Sequence, residues 1–179
     1  MSISLGFSVI LASALVTCAA EPIQPISAAT LNCATGSGGS FLPVLSADGR
    51  SVAFVSYAKN LVTNDDGSLC LDVFVRDLAG GRTVLASVNT SGTGGGNADA
   101  FGAVISSNGQ WVAFASAASN LVPGDTNDAS DVFVRDLEAG VTTLVSADLA
   151  GGSPVKPFPL TNRPLSASPL ISAEGRWVL

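Results

Sequence analysis

Apolar residues in this chain fall in short runs that are separated by stretches rich in Gly, Ser, Asn and Asp. Short apolar or alternating runs bounded by such residues predict β-strands, and long segments with apolar residues at helical spacing are missing from the body of the chain. Four runs recur in the same order in two units. The predicted strands are Leu42 to Ser46, Ser51 to Ser56, Asp72 to Leu78 and Thr83 to Val88, then Ala103 to Ser106, Gln110 to Ser116, Asp131 to Leu137 and Val141 to Ala147.

The two units are copies of one repeat with a period of about sixty residues. SVAFVS at residues 51–56 returns as WVAFAS at 111–116, and DVFVRDL at 72–78 recurs without change at 131–137. A third opening, PLISAEGRWVL, occupies residues 169–179. The chain therefore carries two tandem copies and the start of another.

Each unit is predicted to be a meander of four antiparallel strands. Asp48-Gly49 and Asn108-Gly109 separate the first two strands, and these residue types accept the positive φ of a tight hairpin; Glu174-Gly175 takes the same place in the third unit. Residues 52–55 are apolar on both faces, as in a strand whose sheet is covered on both sides. These features predict an all-β fold of β-propeller-type blades.

The repeats divide the chain, and the unfinished third unit predicts an incomplete ring, a fragment of a larger propeller. An unpaired strand edge there could pair with a second copy of the chain. The predicted segments are an export signal at 1–20, a linker at 21–36, blade repeats at 37–90 and 91–150, an interblade linker at 151–168 and the truncated repeat at 169–179.

The N-terminal segment resembles an export signal. Leu5 to Ala20 is uncharged, apolar and ends in small residues, which predicts secretory processing near Ala20. An alternative is lipoprotein processing at Cys18, because residues 15–18 resemble a bacterial lipobox; a membrane-anchoring helix is a further alternative. The expected location is extracytoplasmic: periplasmic, secreted or on the outer surface. Contact with a membrane is expected only through this segment.

Two further cysteines, Cys33 and Cys70, follow the export segment. In an oxidising compartment they could form a disulfide. The alternative is a pair of buried thiols, because spacing alone does not establish disulfide geometry.

Composition narrows the classes of function. Eight basic and fourteen acidic residues give a net charge of −6, so few cations could neutralise phosphates and nucleic acid is not an expected partner. The chain has no histidine, which removes the usual general base and the Ser/His/Asp arrangement. We expect no catalytic activity and no organic cofactor.

An acidic loop in the second unit is the candidate metal site. Asp125, Asn127 and Asp131 carry oxygen ligands at nearby positions, which could surround a hard cation such as calcium. Residues 64–72 of the first unit keep the acids with shifted spacing. The alternative is that these side chains bond to nearby backbone in turns.

Charged residues also repeat within the third strand of each unit. Asp72, Arg76 and Asp77 return as Asp131, Arg135 and Asp136, which favours a salt bridge or a turn contact inside each blade over a catalytic cluster. Trp111 and Trp177 share one repeat position and are predicted to pack between blades.

The repeat resembles a known family. The pattern S-x-D-G-R-x-V-A-F at residues 46–54, N-L-V-P-G-D-T-N at 120–127, D-V-F-V-R-D-L and then T-T-L-V-S at 142–146 looks like the TolB-type, WD-repeat-like β-propeller repeats of bacterial exported proteins. This resemblance implies a ring of about four to eight blades and a binding role.

The expected function is that of a non-catalytic, extracytoplasmic propeller module that binds a protein or a glycan. One alternative is the propeller portion of an exported hydrolase whose catalytic domain lies outside this chain. Another is a calcium-binding, propeller-like repeat protein.

Overall fold

A computed structural model describes residues 25–28, 36–127, 129–147 and 169–179. The predicted all-β class is confirmed, since the described ranges contain strands and no helix. The export segment, Cys18, Cys33 and most of the two predicted linkers lie outside these ranges. The strands are β1 Ser40–Leu45, β2 Ser51–Ser56, β3 Asp72–Asp77, β4 Arg82–Leu85, β5 Ala100–Ile105, β6 Trp111–Ser116, β7 Asp131–Asp136 and β8 Val141–Leu144.

The strands form two four-stranded antiparallel sheets, ordered β1-β2-β3-β4 and β5-β6-β7-β8. Their registers match: Phe54 pairs with Phe74 in the first sheet, and Phe114 pairs with Phe133 in the second. Both sheets are therefore the predicted blade-type meanders. We call them blade 1 and blade 2.

The hairpin turns form as their sequences predict. Gly49, Gly109 and Gly175 have φ of 72°, 76° and 72°. In blade 1, Asp48 Oδ1 accepts hydrogen bonds from Ser46 Oγ at 2.7 Å and from the Arg50 amide at 3.0 Å. A short acidic side chain thus holds the turn closed while glycine supplies the left-handed backbone.

The first strand of each blade begins earlier than predicted and contains a bulge. β1 starts at Ser40, and its register with β2 shifts between Phe41 and Val44; β5 shifts at the equivalent place. The bulge residue has φ of 51° at Leu42 in blade 1 and 63° at Gly102 in blade 2. Pairing with the second strand produces the bulge, so alternation along the first strand alone did not reveal it.

The two blades pack face to face. Val55, Val73 and Val75 of blade 1 lie in one buried cluster with Phe114 and Phe133 of blade 2. The opposite face of blade 1, which carries Phe54 and Phe74, forms a second cluster that Ile26 partly covers. Burial on both faces explains why β2 and β6 are apolar at successive positions.

Hydrogen bonds between turns link the three units in series. The Asp48 amide donates to the Ser107 carbonyl at 3.0 Å, and the Ser107 amide donates to the Ala173 carbonyl at 2.9 Å. Gly175 lies against the Trp111 ring, where an added Cβ would be 2.4 Å from Cδ1. The third hairpin therefore continues the blade-to-blade arrangement.

The expectation that Trp177 packs between blades is wrong in this structure, whereas Trp111 does pack against the next unit. Trp177 is 69% exposed, with the Arg176 guanidinium 6.0 Å from its ring centre. The reason is that no hairpin in the described residues lies over Trp177 as Gly175 lies over Trp111.

Candidate functional site

The acidic loop of blade 2 brings the predicted ligands Asn127 and Asp131 into contact. Asp125, Asn127 and Asp131 are all buried. The Asn127 side-chain amide donates to Asp131 Oδ2 at 3.0 Å, and Asn127 Oδ1 accepts the Ala129 amide at 2.8 Å. The side chain of Asn127 thus closes a local turn with its oxygen and holds the buried carboxylate with its nitrogen.

The Oδ1 atom of Asp131 links the outer two strands of blade 2. Ser146 Oγ donates to Asp131 Oδ1 at 2.6 Å and accepts the Val132 amide at 3.1 Å. Because Ser146 follows β8 and Asp131 begins β7, this pair fastens the outer edge of the sheet.

Calcium binding by this loop stays a prediction. The described ranges contain no group of three or more His, Cys, Asp or Glu residues that are placed to hold a metal ion together. Asp125, Asn127 and Asp131 supply carboxylate and amide oxygens, the donor type that calcium prefers. Calorimetric titration of the whole chain with calcium tests the loop directly.

Blade 1 repeats the aspartate–serine pair with a different second partner. Ser87 Oγ donates to Asp72 Oδ1 at 2.8 Å and accepts the Val73 amide at 3.0 Å. The Lys59 ammonium lies 3.9 Å from Asp72 Oδ2 and donates to the Cys70 carbonyl at 3.0 Å. Lys59 therefore links the Cys70 carbonyl, in the loop before β3, to the buried carboxylate of Asp72.

Burial dominates the electrostatics of Asp72. Asp72 is 1% exposed, and removal from water raises the pKa of its carboxyl to about 6. The Ser87 hydrogen bond and the Lys59 charge oppose this rise, while the charges of Asp65 and Asp66 add to it. Asp72 is thus a buried carboxyl whose pKa lies well above its ordinary value of 3.8.

The Gly-rich segment that connects the blades packs closely over this carboxyl. A Cβ added to Gly95 would lie 2.3 Å from Asp72 Oδ1, and one added to Gly94 would lie 2.3 Å from Asp66 Oδ2. Only glycine leaves room for the backbone to approach these side chains so closely. The segment is a cover for the acidic loop of blade 1 as well as a linker.

The predictions for the three cysteines concern residues that lie mostly outside the described ranges. Cys70 is a half-buried free thiol within the described residues. Cys33 lies outside them, as does the lipidation candidate Cys18. The disulfide and the lipid anchor remain predictions.

The repeated charges of the third strand make the predicted turn contacts. Asp77 Oδ1 accepts the Ala79 and Gly80 amides, and Asp136 Oδ1 accepts the equivalent amides of the second turn. The arginines bond to threonines on the next strand: Arg76 to Thr83 at 3.1 Å and Arg135 to Thr142 at 3.0 Å.

An exposed aromatic pair is the clearest feature that sequence reasoning missed. The rings of Phe41 and Tyr57 meet edge to face with centres 6.3 Å apart, although the two side chains are 50% and 44% exposed. Leu42 beside them is 64% exposed. We call Phe41, Leu42 and Tyr57 the aromatic patch. A cavity of about 160 Å³ adjoins it, lined in part by Phe41 and Pro43.

A comparison of the repeats could have found the aromatic patch. The positions equivalent to Leu42 and Tyr57 in blade 2 hold Gly102 and Ala117. Blade 1 therefore carries bulky apolar side chains where blade 2 carries the smallest ones. Unlike the core positions, this difference follows no strand alternation, so the periodic pattern did not draw attention to it.

No family model matches the chain, and no match was found among curated proteins. Among solved structures, the chain is similar to TolB from Acinetobacter baumannii, with 14% identity and a TM-score of 0.38 over 60% of this chain and 21% of that one. It is also similar to acylaminoacyl peptidase in complex with Z-Gly-Gly-Phe-chloromethyl ketone, with 18% identity and a TM-score of 0.36 over 60% of this chain and 14% of that one. The chain thus spans a small part of either protein, and its fold assignment rests on the strand order and register given above.

Proposed function

We propose that this chain is a non-catalytic, extracytoplasmic β-propeller repeat module that binds a protein or a glycan. The observation that carries the proposal is the aromatic patch, formed by Phe41 and Leu42 of β1 and by Tyr57, which directly follows β2. Leu42 holds a φ of 51° with a side chain that is mostly in water. A strained, β-bulged position costs about 1–3 kcal/mol, and a side chain that is mostly exposed recovers little of it through burial, which is typical of a contact surface.

The chemistry of the patch suits a ligand with both apolar and polar parts. Aromatic rings bury a large area with little loss of side-chain freedom, and the Tyr57 hydroxyl can bond to a ligand at the same time. Phe41 is in β1, which is paired with β2. The sheet therefore presents these rings in a preorganised position.

The location outside the cytoplasm is supported by the N-terminal sequence. Leu5 to Ala20 is an uncharged apolar run that ends in small residues. No helix in the described part of the chain is long and apolar enough to cross a membrane. The proposed module acts after export.

The test uses the whole chain, immobilised and screened against a glycan array and against fractionated envelope and extracellular proteins. A ligand found by either screen is titrated with wild type, Tyr57→Ala and Leu42→Gly. Both variants should weaken binding about tenfold, because each removes an aromatic or apolar contact from the centre of the surface. Leu42→Gly should fold normally, since glycine relieves the positive φ.

The matched control is Leu69→Ser, which removes an apolar side chain that is 90% exposed and belongs to another loop. Its affinity should equal that of wild type. Unchanged affinity in both patch variants would overturn the assignment of the surface. The absence of any specific ligand in both screens would overturn the binding function.

A further inference from the structure

A second surface suited to ligand binding lies along the outer edge of blade 1. A cleft of about 1040 Å³ follows β4, and all four residues of that strand line it. Its walls include Thr63, Asn64, Thr90 and Pro123. β4 is the last strand of its sheet and, within the described ranges, pairs only with β3.

The charge of this cleft is opposite to that of the chain. Arg76, Arg82 and Arg135 line it, and none of its lining residues is Asp or Glu. These are three of the eight Lys and Arg residues in a chain with a net charge of −6. Random placement of charges on an acidic protein would not be expected to produce a cationic cleft without carboxylates.

Arg135 carries a donor suited to an anion. Its Nη1 donates to Thr142 Oγ1 at 3.0 Å, which orients the guanidinium. Its Nε is buried and makes no hydrogen bond within the described part of the chain. Because this Nε is enclosed, a ligand in the cleft contacts the part of the Arg135 side chain that lines the cleft wall.

The backbone of β4 adds unpaired groups to this arrangement. The Ala86 amide donates to the Val73 carbonyl at 2.8 Å, so the backbone amide of Ala86 faces β3. Hydrogen-bonded and non-bonded pairs alternate along antiparallel strands, so Thr83 and Leu85 direct their N–H and C=O groups to the outer edge. The edge can accept one further strand.

We propose that an extended acidic peptide binds in this cleft by adding a strand to β4, with its carboxylates against Arg82 and Arg135. Backbone hydrogen bonds supply the affinity of such strand addition, and side-chain pockets supply its specificity. A peptide is favoured over a sugar because no aromatic side chain lines the cleft to stack on a sugar ring. This inference rests on the proposed binding function and adds a second surface to it.

The experiment measures fluorescence anisotropy of a labelled alternating Glu-Val peptide with the whole chain at low salt. Saturable binding is expected, and Arg82→Gln should weaken it about tenfold because one charged hydrogen bond is lost. Arg82 is exposed, so this variant should fold. Arg135→Gln should show a similar loss, with circular dichroism used to confirm that its strands remain.

Three controls separate the elements of the proposal. Arg50→Gln removes an exposed arginine outside the cleft and should leave binding unchanged. A Lys-Val peptide of the same length should not bind. A Glu-Val peptide with N-methylated backbone positions keeps its charge but cannot complete the strand pairing, and it should bind at least tenfold more weakly.

Equal binding of the parent and N-methylated peptides would overturn strand addition, and an unchanged affinity in Arg82→Gln would overturn the cationic site. If an oligogalacturonate binds and the Glu-Val peptide does not, the peptide inference fails while the proposed binding function stands. If the glycan and protein screens described above also find no ligand, both proposals fail.

Discussion

Blade 1 and blade 2 share one strand register but stabilise their buried aspartates differently. In both, a serine after the last strand donates to the first oxygen: Ser87 to Asp72 and Ser146 to Asp131. The second oxygen of Asp72 faces the Lys59 ammonium at 3.9 Å, whereas that of Asp131 accepts the Asn127 amide at 3.0 Å. The repeated strands determine the first partner, and the loops, which differ between the copies, determine the second.

The blades also differ in what covers their phenylalanine pairs. The stacked rings of Phe114 and Phe133 are buried in the cluster between the blades. The rings of Phe54 and Phe74 stack with the same 5.8 Å separation but lie in a cluster drawn from blade 1 and Ile26. Equal sequences thus occupy unequal environments, which allows the same substitution to be compared in two settings.

The largest effect is expected from Phe133→Ala. It opens a cavity between the blades and should lower the free energy of unfolding by about 3–5 kcal/mol. The matched variant Phe74→Ala should cost less, because its cavity lies in the smaller cluster and leaves the contact between blades intact. Urea denaturation followed by circular dichroism measures both. Equal losses would show that the interblade cluster adds nothing to the cost of the cavity.

The next effect concerns the close cover of blade 1. Gly95→Ala places a methyl group on the buried carboxyl of Asp72 and should destabilise the chain by about 3 kcal/mol through overpacking. Ser91→Ala, at an exposed position of the same connection, should be within about 0.5 kcal/mol of wild type. A neutral Gly95→Ala in the same denaturation assay would show that the segment does not cover Asp72 tightly.

The pH dependence of Asp72 should be somewhat smaller. Its folded pKa of about 6 exceeds the unfolded value of 3.8, so its contribution to stability is complete below the unfolded pKa and is lost as pH rises to about 6. At about 1.4 kcal/mol for each pKa unit, full deprotonation should cost about 3 kcal/mol, of which about 2 kcal/mol falls between pH 4 and pH 7. Asp72→Asn lacks this titration.

The measurement is the difference in unfolding free energy between wild type and Asp72→Asn at several pH values. Relative to wild type, the unfolding free energy of Asp72→Asn should rise by about 2 kcal/mol between about pH 4 and pH 7. Using the difference removes the contributions of other carboxyls, including Asp48 and Asp136, whose pKa values hydrogen bonds lower. A constant difference across this range would contradict the raised pKa of Asp72.

The smallest effect is expected from Lys59→Ser, which gives blade 1 the residue that blade 2 has at Ser119. The ammonium is partly exposed, so its loss should cost no more than about 1 kcal/mol at neutral pH. The cost should disappear near pH 4, where Asp72 is protonated. Thermal denaturation at both pH values measures this cost. An equal cost at both would show that Lys59 stabilises the fold through its hydrogen bond to the Cys70 carbonyl alone.

Much of the fold could be predicted from the sequence because the pattern of each strand occurs in two copies of the repeat. The second, third and fourth strands begin within a residue or so of their predicted starts, and the hairpin glycines adopt the expected positive φ. β1 and β5 were less well predicted, because their bulges arise from pairing with the neighbouring strand.

The sites were predicted less completely. Asn127 and Asp131 are close in sequence, so the loop brings them together as expected. Ser87 and Ser146 lie two strands beyond their aspartates, and no local pattern links them. The arginine cleft has no local signal in the sequence, because Arg76 and Arg135 belong to different blades and the cleft forms where the outer edges of the two blades meet.

The sequence by itself determined the all-β class, the meander of four strands and the turn positions, because these depend on local alternation and on residues that accept particular backbone angles. Only the tertiary structure decided which partner each buried aspartate has, how closely Gly95 covers Asp72, and where the arginines meet the open edge of β4. These features depend on contacts between segments far apart in the chain, which short-range patterns do not encode.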